Sequence, residues 1–412
     1  MDRTARRGST GAGTTPEIAP GTSAPSILLL FSDTGGGHRA AARALTAALH
    51  ELEPQARVDW FDPLLGQGPP TVRRIVALYP TIIKRARPAW GAIYHSSNTR
   101  PAFAMLRTTL GGQVRRALVR RLRKLDPDLV ISVHPLVNHV AADAIRAAGR
   151  RRPLATVVTD LIDLHLGWAN PRADLVVVPT VEAHEAMLRR GLRPERVRRL
   201  GLPVDLRFRP AAPGEKARLR RELGIEVGTP TLLVSAGGEG AGNLLRQVRA
   251  LAWRHHPWQV IAVCGRNERL RRRLARLHFG TPTVVLGFVD SMPELMRAAD
   301  VAVGKAGPGV IAEALATGVP LILTSYLPGQ ETPNVRFVVE SGVGLYADKP
   351  DTLREAVERL LEAHRSELDQ MAKRAADIAR PGAALDVARA CLDLIPARRS
   401  TGAQSAASQA RR

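Results

Sequence analysis

Ile27-Leu28-Leu29-Leu30-Phe31-Ser32-Asp33-Thr34-Gly35-Gly36-Gly37-His38 is followed by a stretch of helical spacing, Arg39–His50. An apolar run this short and unbroken suits a strand of a parallel sheet covered on both faces, since a half-exposed strand would alternate. Gly35, Gly36 and Gly37 let the backbone approach a ligand closely, and the helix behind them offers free N–H groups and a positive dipole end. The turn is neither a Walker loop nor G-x-G-x-x-G, because no Lys-Ser/Thr pair follows and the spacing differs. His38 stands at the helix start, where the dipole disfavours its protonated form and keeps it available as a base, the other reading being a structural histidine.

The same style recurs. Leu129–Val133, Ala155–Val158 and Leu175–Val178 read as buried strands, and after a break so do Thr231–Ser235, Val260–Cys264, Thr283–Leu286, Val301–Val303 and Pro320–Leu323. Segments such as Val310–Thr317 between them have helical spacing. The pattern predicts an α/β fold of two doubly wound, Rossmann-like domains facing across a cleft, with ligands at the carboxyl ends of the strands. A length of 412 residues fits two domains. Pro203, Pro210 and Pro213 put the junction near Val204–Pro213, giving domains at 26–205 and 206–396. Residues 1–25, rich in Gly, Ser, Thr and Pro, and the basic stretch 397–412 read as disordered tails.

Composition narrows the class. A hydrophobic content of 45% excludes wholesale disorder, and two cysteines, Cys264 and Cys391, are too few for a disulfide framework. No run reaches the ~18 apolar residues that span a bilayer, and no apolar segment directly follows Arg6-Arg7 as a signal peptide would require. The expectation is a cytoplasmic protein.

The formal charge of +22 is unevenly placed: 13 Lys or Arg and no Asp or Glu lie between Thr71 and Lys124. Tyr79, Trp90, Tyr94 and Phe103 are interleaved with them. Basic side chains are drawn to anionic leaflets and aromatic rings suit the headgroup layer, so a membrane-surface patch accounts for both features. Arg73, Arg74, Lys84, Arg85, Trp90, Arg115, Arg116, Arg120 and Arg121 are its expected contacts. Nucleic acid accounts for the charge, and a coding bias toward arginine accounts for it with no partner at all.

Two more glycine turns follow strands. Ser235-Ala236-Gly237-Gly238-Glu239-Gly240-Ala241-Gly242-Asn243 has the physics of a phosphate cradle, with a helix expected from Asn243. Gly304-Lys305-Ala306-Gly307-Pro308-Gly309-Val310 opens a helix carrying Glu313, whose carboxylate suits a ribose diol. Pro328-Gly329-Gln330-Glu331-Thr332-Pro333-Asn334 then clusters polar groups suited to sugar hydroxyls. Asp126-Pro127-Asp128 has the outline of a D-x-D metal motif but directly precedes a strand, and reads as a helix-to-strand connection.

With these pieces in order, the chain resembles the monogalactosyldiacylglycerol synthase and processive diacylglycerol glucosyltransferase family, inverting enzymes of the glycosyltransferase B fold. The resemblance rests on 32–45, 132–140, 157–168, 173–180, 235–243, 304–323 and 328–334. It implies an N-terminal lipid-acceptor and membrane-docking domain and a C-terminal nucleotide-sugar domain. The diphosphate of a UDP-sugar would lie near the 237–243 turn, with Gly237, Gly238, Gly240 and Asn243, and the 307–310 helix start, with Gly307, Gly309 and Val310; Lys305 would be a further donor contact. Glu313 would hold the ribose, Gln330, Glu331 and Asn334 the hexose, and Arg266 and Phe288 the uracil. His38 would deprotonate the acceptor hydroxyl with Asp160 orienting base or acceptor, and Gly35, Gly36, Gly37, His134 and Trp168 would line the acceptor side.

The implied reaction moves galactose or glucose from UDP-galactose or UDP-glucose to diacylglycerol, or to a glycolipid acceptor, at the cytoplasmic face of the cell membrane, in contact with anionic lipids. No metal or other cofactor is expected, because positive helix ends replace it, and no nucleic acid. A polyprenyl-linked sugar as acceptor, a nucleotide-sugar epimerase and a basic nucleic-acid-binding protein are the alternative readings.

Overall fold

The computed structural model describes residues 24–33, 36–78, 87–109, 111–235, 237 and 243–396. Both expected tails lie outside the described residues, apart from Ala24 and Pro25.

Twelve strands form two sheets. The first contains β1 (Ser26–Leu30), β2 (Arg57–Phe61), β3 (Leu129–Ser132), β4 (Leu154–Val157), β5 (Leu175–Val178) and β6 (Val197–Arg199) in the order β2-β1-β3-β4-β5-β6, every pair parallel. The second contains β7 (Thr231–Ser235), β8 (Gln259–Val263), β9 (Thr283–Leu286), β10 (Val301–Lys305), β11 (Leu321–Ser325) and β12 (Gly344–Tyr346) in the order β12-β11-β10-β7-β8-β9, again all parallel. The run at β1 is continuous because its two faces are both covered. Leu28 and Leu30 pack into one core, while Ile27, Leu29 and Phe31 pack into another.

Strand order reverses between β1 and β3 in the first sheet and between β7 and β10 in the second, so each sheet has its ligand crevice outside the carboxyl ends of that pair. In the first sheet these ends lead to His38 and His134. In the second they lead to Gly237 and Gly307.

Three strands carry no buried-strand signature: β2, β6 and β12. All three are sheet edges, where one side lacks a neighbour and charged or small residues are tolerated.

The segment expected to form the C-terminal domain, 206–396, divides between the two sheets. Its elements through helix Arg365–Ile378 serve the second sheet, with Met371 and Ala375 in that domain's cores. Helix Ala383–Leu392 instead lies against helix Gly37–Leu52 and buries Ala384, Val387, Ala388 and Cys391 beside Ile27 and Leu29. This corrects the domain boundary: 383–395 complete the core of the first domain.

The basic stretch folds into helices Pro70–Val76, Arg87–Ser97, Arg100–Thr109 and Gly111–Leu125. In the last of these Val114, Ala117, Leu118 and Leu122 face the core while Arg115, Arg116 and Arg120 face solvent. Arg73 and Arg74 are exposed and Trp90 is half-buried. Arg121 departs from expectation: it is half-buried, pairs with Asp59 at 3.2 Å and lies over the Phe61 ring, so it braces β2. Lys84, Arg85 and Tyr79 lie outside the described residues. Among the described residues no helix is long and apolar enough to cross a membrane.

Candidate active site

Gly36, at φ 84°, turns the chain into helix Gly37–Leu52 and sets His38 in its first turn. The His38 Nδ1 lies 2.8 Å from the Thr159 Oγ1, and its ring centroid is 4.5 Å from that of His134 and 6.2 Å from that of Trp168. Burial lowers its pKa to about 4, with the Val133 carbonyl pulling the other way. His134, just ahead of helix Pro135–Ala147, is buried and held well below the ordinary range, first by burial and then by the neighbouring His38 and His165. Both imidazoles are therefore neutral near pH 7, which leaves His38 able to take a proton.

Asp160 follows Thr159 directly and is buried. Its Oδ2 accepts from the Trp168 Nε1 at 2.7 Å, and its Oδ1 accepts from the Gln330 Nε2 at 3.1 Å. Burial raises its pKa, and these two hydrogen bonds oppose the rise. The second bond joins the two lobes. Together the two bonds redirect two expected contacts. Gln330 gives its amide to Asp160, and Trp168, fully buried, holds Asp160 in place and has no surface left for an acceptor.

A second contact between lobes comes from the basic stretch. Gly329, at φ 83°, sits where a Cβ would lie 3.1 Å from the Tyr94 Cδ1 and 3.2 Å from the His95 Nε2. Helix Arg87–Ser97 thus abuts the turn that carries Gln330, with Tyr94 buried and its hydroxyl donating to the Asp163 carbonyl at 3.4 Å.

On the donor side, Gly307 precedes helix Pro308–Thr317, so Gly309 and Val310 occupy the first turn, where backbone N–H groups have no helical partner. Glu313 is one turn on, with its Oε1 4.0 Å from where a Gly309 side chain would begin. Burial, reinforced by the charge of Asp205, raises its carboxyl pKa to about 8. The Arg266 guanidinium lies over the Phe288 ring at 4.6 Å, and that ring is 45% exposed, a platform on which a planar base can stack. Gly237 and Asn243 bracket the second glycine turn, Asn243 immediately before helix Leu244–Ala252. Gly35, Gly238 and Gly240 lie outside the described residues.

Glu331 and Asn334 do not face open space as expected of hexose ligands. The Glu331 Oε1 accepts from the Lys305 Nζ at 2.9 Å and its Oε2 from the Leu327 amide at 2.8 Å, with the residue 3% exposed. The Asn334 Nδ2 donates to the Ala306 carbonyl at 3.0 Å and the residue is buried. The pair shapes the loop after β10 and aims Lys305, whose side chain remains partly exposed.

Asp126 pairs with Arg150 and Arg152, and the Asp128 Oδ2 accepts from the Ser26 amide at 3.0 Å, as a connection between helix and strand requires. Among the described residues no group of three or more His, Cys, Asp or Glu is placed to hold a metal ion. Thr159 is the residue that the sequence reading missed. Its signal was position: a hydroxyl just past β4, level with the carboxyl ends of β1 and β3.

Residues 38–204 match the family model for monogalactosyldiacylglycerol (MGDG) synthase, and 231–386 match that for the glycosyltransferase family 28 C-terminal domain. A probable chloroplastic monogalactosyldiacylglycerol synthase of Glycine max is 34% identical over 380 residues, covering 90% of this chain and 71% of that protein. Monogalactosyldiacylglycerol synthase 1 of Arabidopsis thaliana is 33% identical over 380 residues, with the same two coverages, 90% and 71%. Among solved structures, MurG of Acinetobacter baumannii superposes with a TM-score of 0.59 at 17% identity, covering 90% of this chain and 99% of that one. The calicheamicin glycosyltransferase CalG4 gives 0.53 at 17%, covering 91% and 100%. The two facing parallel sheets are thus those of the glycosyltransferase B fold, and at this level of identity over this much of both proteins the chain belongs to the monogalactosyldiacylglycerol synthase family.

Proposed function

We propose that this glycosyltransferase moves galactose from UDP-galactose to the free hydroxyl of diacylglycerol, with inversion at the anomeric carbon. One observation carries the reading. Consecutive residues at the end of β4 hold the two halves of the reaction in register: Thr159 holds His38, and Asp160 holds Gln330 of the donor lobe. With the ring proton on Nδ1 and the Thr159 oxygen accepting it, His38 Nε2 takes the proton of the acceptor hydroxyl. The acceptor oxygen bonds to the anomeric carbon as the bond from that carbon to the diphosphate breaks on the opposite face. The departing negative charge meets the first-turn N–H groups of helix Pro308–Thr317 and the Lys305 ammonium. The Glu313 carboxyl, with no hydrogen bond among the described residues, is left for the ribose hydroxyls. In this scheme the helix end and Lys305 stand where a metal ion would otherwise take up charge.

The galactosyl donor is taken from the names of the relatives; glucose differs at one stereocentre and is the control. The exposed arginines, the exposed Ile75 and Met105 of the same helices and the exposed Leu78 of the turn after the first of them support docking on an anionic membrane, on its cytoplasmic face.

The test is a transfer assay with purified protein, diacylglycerol in vesicles containing anionic lipid, and UDP-galactose or UDP-glucose in separate reactions. A galactolipid is expected. A glucolipid alone overturns the choice of sugar, UDP release without glycolipid overturns the acceptor, and neither product, with no shift in melting on adding UDP, overturns the proposal.

A further inference from the structure

Strand β11 carries one residue more than its neighbour β10 can pair. The ladder between them runs Ala302↔Leu321, Val303↔Ile322 and Gly304↔Leu323, then steps to Lys305↔Ser325. Thr324 is the extra residue, a bulge of a kind rare in parallel pairs that bends the strand and re-aims the side chains beside it. Lys305 stands at the step. Its ammonium lies beside Gly307, where a Cβ would be 3.3 Å from the Lys305 Cε and 3.6 Å from its Nζ. The positive charge is thereby brought to the start of helix Pro308–Thr317.

A bulge inside a sheet must be held, because it interrupts the ladder and leaves backbone groups to be satisfied in another way. The buried Thr324 hydroxyl donates to the Gly304 carbonyl at 3.1 Å and accepts from the Gln247 Nε2 at 2.6 Å. Gln247 is half-buried in helix Leu244–Ala252, and its backbone amide donates to the Asn243 carbonyl at 3.0 Å. It stands one helical turn behind the second glycine turn. Bonds from Gln247 back to Asn243 and across to Thr324 and Gly304 thus join that turn to the strand end that carries Lys305. The two segments leave the sheet from β7 and β10, the neighbours at which strand order reverses. An apolar side chain at 247 would serve packing beside Leu244 and Val248; what the amide adds is a hold on the Thr324 hydroxyl.

Resting on the donor site assigned above, we infer that Gln247 is a positioning residue for the donor diphosphate. Through Thr324 it fixes the bulge that points Lys305 at the departing charge, and it sets the spacing between Lys305 and Asn243. It acts through Lys305 and is not itself a contact of the donor. Its effect reaches the phosphates and spares the uracil, whose proposed platform of Arg266 and Phe288 follows β8 and β9.

UDP and uridine separate the two effects, since only UDP carries phosphates. Binding of both to the purified full chain is measured by titration calorimetry, uridine by displacement of UDP. Gln247→Met keeps the side-chain length without its donor, and Thr324→Val keeps the shape without the hydroxyl. Each is expected to weaken UDP about tenfold, the scale of one misdirected hydrogen bond to a charged group, with uridine unchanged. Thr324→Ser should restore UDP binding. In a Lys305→Met background, Gln247→Met should cost about a further twofold at most, because the lysine through which it acts is gone. The two variants reach the link from the helix and from the sheet, so misfolding of one leaves the other to decide. Unchanged UDP affinity in the folded variants, equal loss of UDP and uridine, or a full tenfold loss on top of Lys305→Met would each overturn the inference. Wild-type protein that does not bind UDP would overturn the donor assignment, and this inference with it.

Discussion

Glu313→Gln should make the protein more stable and a poorer binder of UDP. The Glu313 carboxyl ionises near 4.5 in an unfolded chain and holds its proton to about 8 in the fold, chiefly because it is buried. Each pH unit between those values costs the folded state about 1.4 kcal/mol. At pH 7 this is an upper figure of about 3 kcal/mol, which the partial exposure of the Glu313 residue as a whole reduces to about 2. The sign follows from the direction of the shift. The raised pKa means that the unfolded state releases its proton first, so the cost is absent below pH 4.5, grows through neutrality and levels off above 8. Glutamine keeps the shape without the titration. Urea unfolding of both proteins at pH 5.0 and 7.5 is the assay. The variant is expected to gain less than about 1 kcal/mol at the lower pH and about 2 at the higher. Titration calorimetry should show weaker UDP binding in the same variant. An equal stability difference at both pH values would refute the buried, unpaired carboxyl, and unchanged UDP affinity would move the ribose contact elsewhere.

His38→Ala should lower kcat by about 10²–10⁴-fold with UDP affinity nearly unchanged, and parallel loss of both would remove His38 from the base role. In the wild type the acid limb of kcat/KM should fall near pH 4, where His38 gains its proton, and a limb near 6.5 would contradict its burial. Thr159→Val keeps the shape but removes the partner of Nδ1, so kcat is expected to drop while KM for UDP-sugar holds and Thr159→Ser restores most of the rate; full activity of the valine variant would show that ring orientation is set elsewhere. Replacing Arg73, Arg74, Arg115, Arg116 and Arg120 by Gln should weaken sedimentation with anionic vesicles in a salt-sensitive way and spare uncharged ones. Arg121→Gln alone should instead lower the melting temperature, because its partner is Asp59.

Strands of the sheet interiors were legible because burial on both faces demands an unbroken apolar run, as in Ile27–Phe31. The edge strands β2, β6 and β12 were not, since the demand is relaxed on the side without a neighbour; the fourth edge, β9, keeps an apolar run and was found, but its residues are half-buried rather than buried. In the site, positions set by local chemistry were legible: His38 stands at a helix start and Gly307 just before another helix. Residues whose role depends on partners far away in sequence were not. Gln330 reaches Asp160 across 170 positions, Glu331 turns back on Lys305, and Arg121 finds Asp59 across 62. A polar side chain in a glycine-rich turn announces that it will bond, and its sequence neighbours do not say to what.

The return of helix Ala383–Leu392 to the first sheet sets the order in which the molecule can be assembled. During synthesis the first lobe emerges early but lacks one wall of its core until residue 395 has left the ribosome. All the strands and helices of the second sheet, through Ile378, precede that point. The second lobe therefore completes first, while Ile27, Leu29 and the apolar face of helix Gly37–Leu52 wait uncovered. A premature stop after Ile378 would leave an intact donor lobe attached to an aggregation-prone acceptor lobe.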